Sequence, residues 1–176
     1  MNRCFPGDLN GTFAEVLAHH VFSSFITHSD YLVDVHAGDI PEGLEPFTMF
    51  EESRVESASL DLAVSYGLRH VMRQSIAART LAGSTASASS DIGIPSITAE
   101  SGQNGLLERI SIETHLAGLQ NLARTIGVWD GDPLPRRQVI VHEGWHWLRS
   151  ERAGWWQPTV TTGASLKSRG SAGNYE

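Results

Sequence analysis

The 176-residue chain is 40% hydrophobic and 19% charged, with a formal net charge of −7 and a pI near 5.6, as expected of one globular domain or a domain plus a fragment of another. The acidic balance, without any basic stripe, excludes a nucleic-acid surface, and no apolar run is long enough to span a bilayer. The single cysteine, Cys4, allows no internal disulfide, and with no basic-then-apolar leader pattern the expected location is the cytoplasm.

In chain order, strand and helix patterns alternate. Thr12 and Glu15 form a capping box that opens a helix running to Ile26, with Val16, Leu17, Val21 and Phe25 as its buried stripe. Tyr31 to His36 reads as a strand stopped by Gly38, and Pro46 to Phe50 as a second. A helix is expected over 55–66 with Gly67 as its C-cap, then a short strand over 69–72. The Ser- and Ala-rich stretch 82–91 is a loop or a short helix beside the site. Pro95 to Glu100 is a strand, and 108–126 a long helix with Ile112, Leu116, Leu119, Leu122 and Ala123 as its apolar face. Asp130-Gly131-Asp132-Pro133 marks a linker. The Trp-rich alternation over 138–157 then begins a β unit, and no structure is assigned to the polar stretch 163–176.

These elements make an α/β domain over 1–134 and a partial β domain with a polar tail over 135–176. Asp34 and His36 are two apart on a strand and share a side, so the carboxylate can support the imidazole. The end of a strand is where open α/β sheets hold ligands. On the residues alone, His36 also fits a hydrogen-bonded structural role. Asn2 and Arg3 also fit a plain chain start, and Glu100 a solvated or capping carboxylate.

Three segments, taken together, carry a resemblance. They are Asn2-Arg3-Cys4-Phe5-Pro6-Gly7 followed by Gly11-Thr12 and Glu15, then Asp34-Val35-His36-Ala37-Gly38, then Gly93-Ile94-Pro95 leading to Glu100-Ser101-Gly102. In this order and spacing, over about residues 2–127, the chain resembles the succinylglutamate desuccinylase/aspartoacylase family of zinc deacylases. The resemblance implies a mixed-sheet zinc carboxypeptidase-like fold, with strands 31–35 and 97–99 as neighbouring inner strands. It also implies Zn2+ held in part by His36, Glu100 as the carboxylate that shuttles the proton, and Asn2 and Arg3 gripping the substrate carboxylate. Arginine suits that task through its bidentate fork. The implied substrate is an N-acyl amino acid or similar small amide, and a homo-oligomer is compatible with the reading.

The family takes its other two zinc ligands from an H-x-x-E motif upstream of the Asn-Arg pair. None of the eight histidines is followed three residues later by glutamate. With Met1 directly before the pair, the expectation is an incomplete member, cut at both ends, that binds zinc weakly or not at all by itself. At the far end, Gly163-Ala164-Ser165-Leu166-Lys167 resembles the start of a hairpin in the family's β domain. His142-Glu143-Gly144-Trp145-His146 matches H-E-x-x-H, but that motif needs a helix. On a strand the two histidines lie ~13 Å apart, too far for one metal, so this reading is rejected. No G-x-S-x-G elbow or phosphate loop occurs. Two functions follow: a zinc-dependent deacylase once its missing ligands are supplied, or a non-catalytic remnant. The remnant would bind small carboxylates around Arg3 or pair with a full-length relative.

Overall fold

A computed structural model describes residues 1–78, 82–166 and, as backbone, 173–175. Helix α1 (Phe13–Ser24) starts at the Thr12–Glu15 capping box, where the Thr12 N–H donates to Glu15 Oε2 at 2.7 Å. Strands β1 (Leu32–His36) and β2 (Phe47–Glu51) follow, then α2 (Glu56–Tyr66), closed by left-handed Gly67. β3 (His70–Gln74), α3 (Thr85–Ile92), β4 (Ser96–Glu100) and α4 (Arg109–Thr125) complete the α/β alternation. β5 (Ile140–Glu143), β6 (Trp156–Pro158) and β7 (Gly173–Tyr175) are short.

The main sheet has the order β1-β4-β2-β3-β5. β1 runs parallel to β4, and β2 and β3 parallel to each other and to β5, while β2 is antiparallel to β4. One sheet face carries α2 and α4 over the core of Phe50, Leu62, Ala63, Tyr66, Val71, Ile97, Ala99 and Leu122. The other face carries α3, and the cluster that joins α3 to α1 holds Phe5, Ala18, Phe22, Ile26, Ala88 and Ile94. Among the described residues, no helix is long and apolar enough to cross a membrane.

The mixed α/β architecture matches the sequence expectation, with four corrections. β1 is a neighbour of β4 but is the outermost strand, not an inner one. The buried stripe of α1 is rotated: Ala18 and Phe22 are buried, while Leu17 and Phe25 are exposed. On α4, Leu122 is buried and Leu119 packs against the core as expected, but Ile112 and Leu116 are exposed, and Gly118 and Asn121 are buried beside Leu122. Periodicity marks a helix well but leaves its facing uncertain by about a residue when apolar residues occur on more than one side.

The fourth correction concerns 138–157, where the extended pattern yields only β5 and β6. Gly144, with φ 88°, ends β5, and the segment beyond is largely exposed and has no face to bury. β5 joins the main sheet, whereas β6 and β7 form a separate antiparallel ribbon. That ribbon gives a strand to the stretch left unassigned from sequence. Lys167, the last residue of the hairpin-like segment, lies outside the described residues.

The facing of α4 has a direct consequence. Leu122→Ala should cost about 2–4 kcal/mol, as for a buried leucine that leaves a cavity, and Leu116→Ala less than about 0.5 kcal/mol. Urea unfolding of the two variants checks this, and equal losses would contradict the helix orientation.

Candidate functional site

The site is built where β1 and β4 end. Their parallel register pairs Asp34 with Thr98 and His36 with Glu100, so Asp34, His36 and Glu100 project from the α3 face at one end of the sheet. Glu100 pairs in turn with Phe47, and Phe47 with His70, which extends the row along that end. Farther along, a cavity of about 480 Å³ is lined by Glu42, Phe47, His70, Met72, His142 and Trp145, and Asp34, His36 and Glu100 are not among its lining residues.

His36 is held at both ring nitrogens. Nε2 lies 3.0 Å from Asp34 Oδ1 and Nδ1 lies 3.5 Å from Glu100 Oε1. Asp34 can only accept, so Nε2 carries a proton and Nδ1 is the lone-pair nitrogen of the neutral ring. The hydrogen bond that His36 donates to Asp34 raises the imidazole pKa, with burial opposing it and the Asp34 and Glu100 charges adding to it. Burial works against the charge of Asp34, but hydrogen bonds from His36, Thr85 and Asn2 outweigh it and hold its pKa low. Burial pushes Glu100 up to about 7, with His36 opposing and Glu42 and Asp34 adding to the rise.

Asn2 and Arg3 are structured, not a loose chain start. Asn2 Nδ2 donates to Asp34 Oδ2 at 2.9 Å and sits 3.0 Å from His36 Nε2. Its Oδ1 accepts from the Thr85 N–H at 2.8 Å. The side-chain amide expected to hold substrate is thus already committed to the strand that carries His36. Arg3 is exposed, hydrogen-bonds the Asn2 carbonyl, and is close enough to His36 to oppose its protonation. Gly83 makes this packing possible: it has φ 79°, and a Cβ there would come within 2.4 Å of the Arg3 carbonyl oxygen.

Thr85, the first residue of α3, was not singled out in the sequence. Its hydroxyl hydrogen-bonds Asp34 Oδ2 and lies 3.0 Å from Asn2 Oδ1. The available signal was Ser84-Thr85 within the Ser- and Ala-rich stretch, a helix start; Ser84 indeed caps α3 by accepting from the Ser87 N–H. The stretch is therefore a helix beside the site, with Ala86, Ser87, Ala88, Ser89 and Ser90 buried.

Asp34 and Glu100 bind opposite nitrogens of the same ring, so they do not converge on a common point with it. Among the described residues, no group of three His, Cys, Asp or Glu side chains could hold a metal ion. The described residues therefore do not fit a complete zinc site, although Nδ1 of His36 is shaped to be one ligand of such a site. His142 begins no zincin helix; it lies on β5 with Nε2 3.0 Å from His70 Nδ1, and His146 lies beyond the strand.

Two measurements follow. Equilibrium dialysis of the chain should retain no zinc at sub-micromolar free metal, because one imidazole leaves the shell to water. One zinc retained per chain would contradict the ligand count. The second measurement uses Glu100, whose folded pKa lies above its ordinary 4.5. The folded state holds the extra proton, so stability falls as pH rises from about 4.5 to about 7. Glu100→Gln removes that loss: relative to wild type it should gain about 1–3 kcal/mol between pH 4 and pH 8. Parallel pH profiles of thermal unfolding would refute the burial of this carboxylate.

Residues 1–126 match the succinylglutamate desuccinylase/aspartoacylase catalytic domain. No curated protein matches the sequence. Among solved structures, the succinylglutamate desuccinylase/aspartoacylase from Rhodobacter sphaeroides aligns over 99% of this chain and 54% of its own, with 22% identity and a TM-score of 0.81. The product-bound ectoine utilization protein EutE (DoeB) from Ruegeria pomeroyi aligns over 94% and 51%, with 22% identity and a TM-score of 0.82. A succinylglutamate desuccinylase from a Silicibacter species aligns over 93% and 50%, with 20% identity and a TM-score of 0.78. At these identities the structures share the fold, and the chain spans about half the length of each.

Proposed function

Because the chain belongs to the succinylglutamate desuccinylase/aspartoacylase family, we propose that it carries the proton-transfer half of a zinc-dependent deacylase. The enzyme would hydrolyse the amide bond of N-acyl amino acids or similar small amides in the cytoplasm. The observation that supports this most is the pairing of His36 with Glu100 at 3.5 Å, with a half-buried Asp34 behind the imidazole. A carboxylate supporting a histidine in this way fixes its tautomer and raises its basicity as a ligand.

In this reading Glu100 accepts a proton from the attacking water as the new C–O bond forms. It returns the proton to the amine nitrogen as the C–N bond breaks. A group that titrates near neutrality is suited to both transfers. Arg3 grips the substrate's free carboxylate. Asn2 serves chiefly to hold Asp34, and through it His36, and touches substrate only if it shares its amide. The cavity past Phe47 leaves room for a substituent beyond the scissile amide. Zinc, when bound, would lower the pKa of that water. His36 would be one ligand, and two more, of the H-x-x-E kind, would have to join it. The β6–β7 ribbon supports residues 135–176 as the opening of a β unit, with β5 lent to the main sheet.

The test is a form of the chain that carries an H-x-x-E segment ahead of Met1, assayed for amine release from a panel of N-acyl amino acids. Glu100→Gln should lower kcat about 10²-fold or more with KM little moved. Arg3→Lys should raise KM clearly, because a point charge replaces a fork. Carboxylate binding that depends on Arg3, without turnover in any form, would favour the non-catalytic remnant instead.

A further inference from the structure

Past His36 and Glu100 the parallel ladder runs out. Ser101 N–H donates to the His36 carbonyl at 3.1 Å, and Gly38 N–H to the Gly102 carbonyl at 3.0 Å. At this point α4 reaches in from the sheet face opposite the site. His115 Nε2 lies 2.9 Å from the His36 carbonyl oxygen and 3.2 Å from the Ser101 carbonyl oxygen. Both partners can only accept, so Nε2 carries the proton and shares it between the two strand ends.

The other ring nitrogen is fixed as well. His115 Nδ1 lies 2.8 Å from the Tyr66 hydroxyl, and in the neutral ring it is the acceptor. Tyr66 is 2% exposed, and burial pushes its pKa up to about 12, so it keeps its proton to donate. The Tyr66 ring is seated against Gly118, one helical turn beyond His115, where an added Cβ would come within 2.2 Å of the ring. A chain of contacts thus runs from α4 through Tyr66 and His115 to the backbone of His36 and of Ser101, the residue after Glu100.

We propose that His115 is a positioning residue: its Nε2–H brackets the ends of β1 and β4 and sets the spacing of His36 and Glu100, while Tyr66 locks its tautomer. His115 meets only the backbone of His36, from the far face, and never the substrate. The bracket itself stands on geometry, and only its effect on turnover rests on the deacylase reading. A displacement of about 1 Å in a catalytic constellation can cost about 10²-fold in rate.

NMR of the 176-residue chain tests the bracket directly. The ring ¹⁵N signals of His115 should report a single tautomer protonated at Nε2. His115→Leu should shift the imidazole signals of His36 and the carboxyl signal of Glu100. His115→Gln, whose side-chain amide can offer an N–H to the same carbonyls, should restore them. Should His115→Leu fail to fold, Tyr66→Phe keeps the ring and removes only the lock, and a mixture of tautomers should appear. In the form completed with H-x-x-E, His115→Leu should lower kcat at least about ten-fold with KM within about two-fold, and His115→Gln should recover most of it. Unshifted His36 and Glu100 signals in His115→Leu, unchanged kcat, or a His115 ring protonated at Nδ1 would each overturn the proposal. Inactivity of the completed wild-type form would instead defeat the deacylase reading, and the NMR signals would still decide the bracket.

Discussion

The parallel pairing of β1 with β4 is the constraint on which the rest depends. It sets His36 beside Glu100, and the period of two along a strand then places Asp34 behind His36 on the same face. Register is held from the opposite side, where Ile97 and Ala99 are fully buried against α2 and α4. A slip of one residue would turn these apolar side chains toward α3 and the carboxylates into the core. The burial of Ile97 therefore positions Glu100 as surely as any contact that Glu100 makes itself.

The face that carries the site is polar to an unusual depth. Ser87, Ser89, Ser90 and Ser96 are all essentially buried. Their small side chains let α3 lie close to the sheet, and their hydroxyls find partners there. Ser90 bonds Ser96 at 2.7 Å, Ser96 donates to the Ala86 carbonyl, and Ser59 accepts from the Ser96 N–H. Buried polar groups are tolerated only when satisfied in this way. The close approach of α3 brings its first turn, and with it Thr85, onto Asp34 and Asn2. A leucine-rich helix would stand farther off and leave Asp34 short of partners.

Charge at the site follows from the same packing. Asp34 collects three hydrogen-bonding partners and stays ionised despite partial burial, whereas half-buried Glu100 has less compensation and is drawn toward the neutral form. Two carboxylates one strand apart are thereby drawn toward different charge states by their surroundings.

Much of this was legible in the sequence because it is local. The Thr12–Glu15 box, the Gly67 cap, the limits of α4 and the shared side of Asp34 and His36 follow from spacings of two to four residues. The order of the Asn2-Arg3, Asp34-His36 and Glu100 segments carried the family. What the sequence left open is long-range: β1 at the edge of the sheet, the facing of α1 and α4, the Asn2 amide committed to Asp34, and the contacts of Thr85 and His115. Those contacts span 51 residues from Asp34 to Thr85 and 79 from His36 to His115. Helical and strand periods say which side of an element is apolar, but not which partner meets it. Only the tertiary packing brings a histidine of α4 onto the carbonyl of the strand that ends in His36.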